Sequence, residues 1–179
     1  LVGHNSYISM WDDISSYRGV TPLLIDLAER PEFCHQIVSK MAEYEISKSE
    51  QMEKLGLFEL DPLELHCTTV LNSTLPGDYD GGFVKRSQVW GRGMAQIFAS
   101  VSKDMHEEFD IAYMQKIMEP FGLVYYGCCE PLDKKIDIVE KIPHLRKISI
   151  TPWADVDNAA EVIGCRYVIA NKPNPAAVA

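Results

Sequence analysis

The chain has 179 residues, 46% hydrophobic and 24% charged, which is the composition of a globular domain and excludes disordered or collagen-like classes. Seventeen Lys and Arg against 26 Asp and Glu give a formal charge of −9 with no run of five basic residues, so nucleic acid is not an expected partner. No apolar stretch approaches the roughly 18–20 residues that span a bilayer, no basic-then-apolar leader opens the chain, and five cysteines at low density fit a reducing compartment. The expectation is a cytoplasmic protein with neither membrane nor nucleic acid as partner.

The first helix signal is Thr21-Pro22, followed by Leu23, Leu24 and Leu27 and stopped at Arg30-Pro31. A second helix is expected from Pro31 to Leu55. Cys34, Ile37, Val38 and Met41 fall at i, i+3, i+4, i+7, and Gly56 supplies the stop. Residues 1–60 thus read as a helical lead-in. In 61–102, Leu63 to Leu71 reads as a strand carrying His66 and Cys67, and Pro76 to Gly82 as a long loop with Asp78, Tyr79 and Asp80 at its tip. Loops of this length are often binding loops, so Asp78 and Tyr79 are candidate substrate contacts, although solvated turn residues have the same composition.

Residues 103–179 read as βα repeats within the same single domain. Asp104, with Glu107 at the capping-box position, opens a helix carrying Phe109, Tyr113 and Ile117. Leu123 to Tyr126 is a short buried strand, and Pro131 opens a helix with Leu132, Ile136 and Val139 on one face. Lys147 to Thr151 is a strand, Asp155 caps a helix with Val156, Ala159, Ala160 and Ile163 inward, and Arg166 to Ala170 is another strand. Strand–helix alternation at this spacing implies an α/β fold with a parallel sheet, its functional loops at the strand C-terminal ends. A closed (β/α)₈ barrel takes about 250 residues, so the expectation is a partial TIM-barrel-like α/β domain, the C-terminal part of the barrel, or a small open sheet.

The block Trp90 to Asn174 resembles the uroporphyrinogen decarboxylase superfamily, in particular its corrinoid and coenzyme M methyltransferase-like branch. Phe121-Gly122-Leu123-Val124-Tyr125-Tyr126-Gly127-Cys128-Cys129-Glu130-Pro131-Leu132 carries the resemblance, supported by Lys147 to Asp155, by Asn171-Lys172-Pro173-Asn174-Pro175 and by Arg18 to Leu24. The resemblance implies a TIM barrel, a zinc that activates a thiol for methyl transfer, and a corrinoid protein as partner. In that branch zinc is held by a His-x-Cys motif and a later Cys. Here Tyr126-Gly127-Cys128 puts Tyr at the His position, and no Cys falls near Asn174.

Cys128-Cys129-Glu130 is the cluster on which the chemistry is expected to rest. At a strand end followed by a Pro-opened helix, the helix dipole would favour thiolate as nucleophile or metal ligand. Zinc prefers thiolate and imidazole, so Cys128 and Cys129 with His66 or Cys67 from another strand form a candidate metal set. Cys129 and Glu130 are the catalytic candidates, and Tyr126, Lys172 and Asn174 join Asp78 and Tyr79 as substrate contacts. The plainer readings are a cysteine packed as a small hydrophobe, an acid explained by a helix N-terminus, and a buried hydrogen-bonded His66.

These residues support three functional expectations. The first is methyl transfer between a small substrate or thiol and a corrinoid protein through a thiolate or zinc site. The second is a tetrapyrrole decarboxylase, which needs several of the arginines Arg18, Arg30, Arg86, Arg92, Arg146 and Arg166 in one cleft. The third is a non-catalytic barrel fragment acting as a binding or assembly module, with a homodimer covering its exposed sheet edges.

Overall fold

A computed structural model describes residues 6–60, 70, 75, 79–174 and 176. Five strands, β1 (Ser6–Ile8), β2 (Trp90–Gly93), β3 (Leu123–Tyr126), β4 (Leu145–Ile150) and β5 (Val168–Asn171), form one sheet in chain order, every neighbouring pair parallel. Parallel neighbours need a crossover, and helices supply each one. Helices α1 (Met10–Arg18), α2 (Val20–Glu29) and α3 (Pro31–Lys54) lie between β1 and β2. Between β2 and β3, α4 (Lys103–His106), a π-helical turn (Glu107–Ile111) and α5 (Ala112–Met118) run on from one another. α6 (Ile136–Val139) precedes β4 and α7 (Val156–Ile163) precedes β5. The α/β class and the parallel sheet are as the βα spacing implied.

Local chemistry explains most of these elements. Pro31 occupies the first turn of α3, where its missing N–H costs nothing, and Cys34, Val38, Ala42, Glu45 and Ser49 form the buried stripe. Asp155 caps α7 by accepting from the Asn158 N–H at 3.0 Å, and Ala159 and Ile163 are buried, while Val156 and Ala160 are exposed. Ser102, not Asp104, caps α4, its hydroxyl accepting from the Met105 N–H at 3.1 Å.

Three expectations need correction. The helical lead-in contains β1, whose three residues are too few to show a period, and 61–102 contains β2. β2 reads Trp-Gly-Arg-Gly and lacks β-branched residues because the face it turns to the helices must be flat: a Cβ on Gly91 would stand 2.8 Å from Met118 Sδ. The helix expected from Pro131 is confined to α6, because Leu132 tucks beneath Gly127 and Lys135 turns inward to the carbonyls of Phe98 and Val101. The strand expected at Leu63–Leu71 lies, except for Val70, outside the described residues.

The main core fills the space between the helices and one sheet face, with Trp11 at its centre. The Trp11 indole N–H donates to Phe109 O at 2.9 Å, and its ring lies 5.1 Å from Phe98 and edge-on to Phe109 at 6.2 Å. A smaller cluster of Val70, Trp90, Tyr125 and Ala170 covers the opposite face. Among the described residues no helix is long and apolar enough to cross a membrane.

Candidate functional site at the strand ends

Register places one row of side chains straight across the sheet. Tyr7 pairs with Arg92, Arg92 with Tyr125, Tyr125 with Lys147 and Lys147 with Val168. Alternation puts this row on the face opposite the main core, because the intervening Gly91 and Gly93 face Met118 and Met114. The row is therefore polar and aromatic where a parallel strand is usually apolar. The Arg92 guanidinium lies 3.9 Å from the centre of the Tyr125 ring, and Lys147 Nζ lies 5.6 Å from the same ring.

Just beyond β3 the chain turns at Gly127, whose φ of +95° belongs to the left-handed region. That turn presents Cys128, Cys129 and Glu130 at the C-terminal end of the strand. Cys128 is buried and Cys129 exposed, with Sγ atoms 3.6 Å apart. Lys172, arriving from the end of β5, donates to Cys128 O at 2.8 Å and stands 3.6 Å from Cys128 Sγ. Ser149 of β4 donates to the same carbonyl at 2.9 Å. Arg92 Nη1 donates to the neighbouring carbonyl, Gly127 O, at 2.5 Å and to Gly93 O at 3.0 Å. Residues from β2, β4 and β5 therefore converge on two consecutive peptides.

The electrostatics differ from the helix-dipole expectation. Residues 131–135 are not helical, so no dipole points at the thiols. Burial, and then the neighbouring Cys129 thiol, push the Cys128 thiol up to about 11, against the opposing pull of Lys172 and Arg92. Cys128 rests as a thiol whose ionisation those two cations assist.

Glu130 is fully buried, and both its oxygens are engaged. Oε1 accepts from the Ala95 N–H at 3.1 Å and Oε2 from the Cys128 N–H at 2.8 Å. Burial raises its carboxyl and these backbone donors oppose the rise. The residue fastens the ends of β2 and β3 together in this geometry.

Tyr126, one residue before the turn, faces the other way. Its hydroxyl donates to Asp110 Oδ2 at 2.5 Å, and His106 Nε2 lies 2.7 Å from the hydroxyl oxygen. Lys135 Nζ lies 3.3 Å from His106 Nδ1. An ammonium has no acceptor, so Nδ1 accepts and Nε2 carries the proton. Burial, then the Lys135 charge, push His106 down to about 3, and burial raises Asp110 well above an ordinary carboxyl. The π turn sets His106 and Asp110 side by side against the sheet. This placement leaves Tyr126 out of the strand-end cluster.

The other candidates divide. Tyr79 is exposed and its hydroxyl donates to Gly82 O within its own loop, and Asn174 is exposed with its side-chain oxygen accepting from the Ala176 N–H. His66, Cys67 and Asp78 lie outside the described residues. Among the described residues no group of three His, Cys, Asp or Glu is placed to hold a metal. The arginines do not gather in one cleft: Arg18 and Arg30 pair with Asp26, Arg86 with Glu53 and Arg166 with Glu140, and Arg146 sits at the N-terminal end of β4, leaving Arg92 as the arginine of the strand C-terminal ends. Arg92 was visible in the sequence only as one arginine of six; the large-Gly-large-Gly alternation of Trp90 to Gly93 is the signal that would have singled it out. No protein-family model, curated protein or solved structure matches the chain.

Proposed function

We propose that this chain is the C-terminal part of a (β/α)₈-type barrel enzyme of the uroporphyrinogen-decarboxylase-like kind, and that it moves a methyl group between a small substrate or thiol and a corrinoid protein. One observation carries the proposal: Cys128 Sγ lies 3.6 Å from Cys129 Sγ and 3.6 Å from Lys172 Nζ, at the C-terminal ends of a parallel sheet whose strands follow chain order. Strand C-terminal ends are where enzymes of parallel βα architecture place their chemistry.

Zinc fits the thiol pair as far as the described residues go. Two thiolates on a tetrahedral zinc with bonds of about 2.3 Å stand about 3.8 Å apart, close to the 3.6 Å spacing here. Cys128 and Cys129 would hold the ion, with His66 as the further ligand expected from the sequence. Bound there, zinc would stabilise the thiolate form of a substrate sulfur. The chain's own part is to hold the thiols at the turn after β3, with Gly127 shaping that turn, Glu130 fixing it to β2 and Lys172 favouring ionisation of Cys128.

Elemental analysis of the purified protein tests this reading. Stoichiometric zinc is expected in the wild type, with loss from Cys128→Ser and from His66→Ala. A zinc-free wild type, or full zinc retention in Cys128→Ser, would overturn the metal part of the proposal.

A further inference from the structure

We infer that Arg92 anchors the carboxylate of a small organic acid at the strand ends; this rests on the strand-end reading above and names the substrate class of that same site. Arg92 is completely buried. Its Nη1 is occupied by Gly93 O and Gly127 O, and the Tyr125 ring lies against the guanidinium, so the group is fixed in orientation. Among the described residues its Nε and Nη2 have no hydrogen-bond partner and Arg92 forms no ion pair.

Nε and Nη2 form one edge of the guanidinium, with two parallel N–H groups. That edge matches the two oxygens of a carboxylate. A buried cation whose remaining donors lack acceptors is costly, and a bound carboxylate would satisfy both donors and the charge together. Tyr7 precedes Arg92 in the register row, and Lys172 adds a second cation at the peptide next to the one Arg92 holds.

The same surroundings favour a carboxylate over a phosphate. Phosphate sites usually recruit several backbone N–H groups. Here Glu130 already occupies the N–H groups of Ala95 and Cys128 at the adjoining ends of β2 and β3. What remains at Arg92 is a single planar fork.

Titration calorimetry of the full chain with butyrate, butyramide and inorganic phosphate is the test. Saturable binding of butyrate is expected, with none of the neutral amide and phosphate at least about tenfold weaker. Arg92→Lys keeps the charge and loses the fork, and should weaken butyrate about tenfold or more; its circular dichroism shows whether it has folded. Cys165→Ser, at an exposed position ahead of β5, should bind butyrate within about twofold of the wild type. Butyramide binding as tightly as butyrate, phosphate binding as tightly as butyrate, absence of saturable butyrate binding, or an unaltered affinity in folded Arg92→Lys would each overturn the inference. The comparison of acid with amide needs no variant. A zinc-free wild type with butyrate binding intact counts against the proposed function alone, and retained thiol chemistry without butyrate binding counts against this inference alone.

Discussion

Glu130 accepts from the backbone N–H of Ala95 at 3.1 Å, thirty-five residues earlier in the chain, and so joins the turn that carries the thiols to the end of the neighbouring strand. Its second oxygen takes the N–H of Cys128. Glu130→Gln offers one acceptor where two are needed and turns an amide N–H toward a donor. The variant should be about 1–3 kcal/mol less stable, measured by urea unfolding. Wild-type stability would mean that the two backbone donors find other partners.

The His106–Tyr126–Asp110 chain makes a prediction about pH. His106 is pushed down to about 3, so on its own it contributes stability above its unfolded value near 6.5 that is lost as pH falls toward 3. Asp110 is raised, so on its own it contributes stability at low pH that is lost as pH rises above about 4. Over the range in which the raised Asp110 keeps its proton in the folded state while His106 holds one in the unfolded state, the two slopes cancel. Lys135, Glu130 and Asp12 face the same region and are common to all variants. Asp110→Asn should therefore lose stability relative to wild type as pH falls below 6.5, at about 1.4 kcal/mol per pH unit. His106→Gln should lose stability relative to wild type as pH rises above about 4. Profiles parallel to the wild type in both variants would contradict the cancellation.

Gly127 combines a left-handed backbone with a crowded surround. A Cβ there would stand 2.4 Å from Leu132 Cδ1 and 3.2 Å from Ser149 Cβ. Gly127→Ala should cost about 2 kcal/mol or more by thermal or urea unfolding. It should also displace Cys128 and slow any reaction that depends on it. A neutral substitution would show that the turn has room to relax.

The two cysteines should label differently. Cys129 is exposed and should react first with iodoacetamide in the folded protein, whereas the rate at buried Cys128 should climb with pH through about 11. Removing the cation in Lys172→Met should move that rise to higher pH. Site-resolved mass spectrometry follows both rates, and an unmoved profile in Lys172→Met would detach Lys172 from the thiol.

The sequence made β3 and its Gly-Cys-Cys-Glu end legible because both are local: an apolar run, a glycine and a turn. α3 and the cap of α7 were legible for the same reason. The Arg92–Tyr125 contact was not, because it depends on pairing between strands thirty residues apart and on which face β2 turns to the helices. Glu130 read as a helix-terminal acid because its true partner, the Ala95 N–H, is equally remote. Ser102 outdid Asp104 as a cap by one favourable hydrogen bond, a difference of two residues that propensity does not resolve. The π turn, which aligns His106 with Asp110, has no periodic signature at all.

The central claim, that the thiols at the end of β3 are the reacting centre of a methyltransferase, is tested most directly by methyl transfer itself. Loss of methylcobalamin absorbance in the presence of 2-mercaptoethanol should be catalysed by the wild type and fall by about 100-fold or more in Cys128→Ser, the loss of a few kcal/mol of transition-state stabilisation. Cys34→Ser, remote from the strand ends, should retain the wild-type rate. Catalysis undiminished in Cys128→Ser, or none in the folded wild type, would contradict the account.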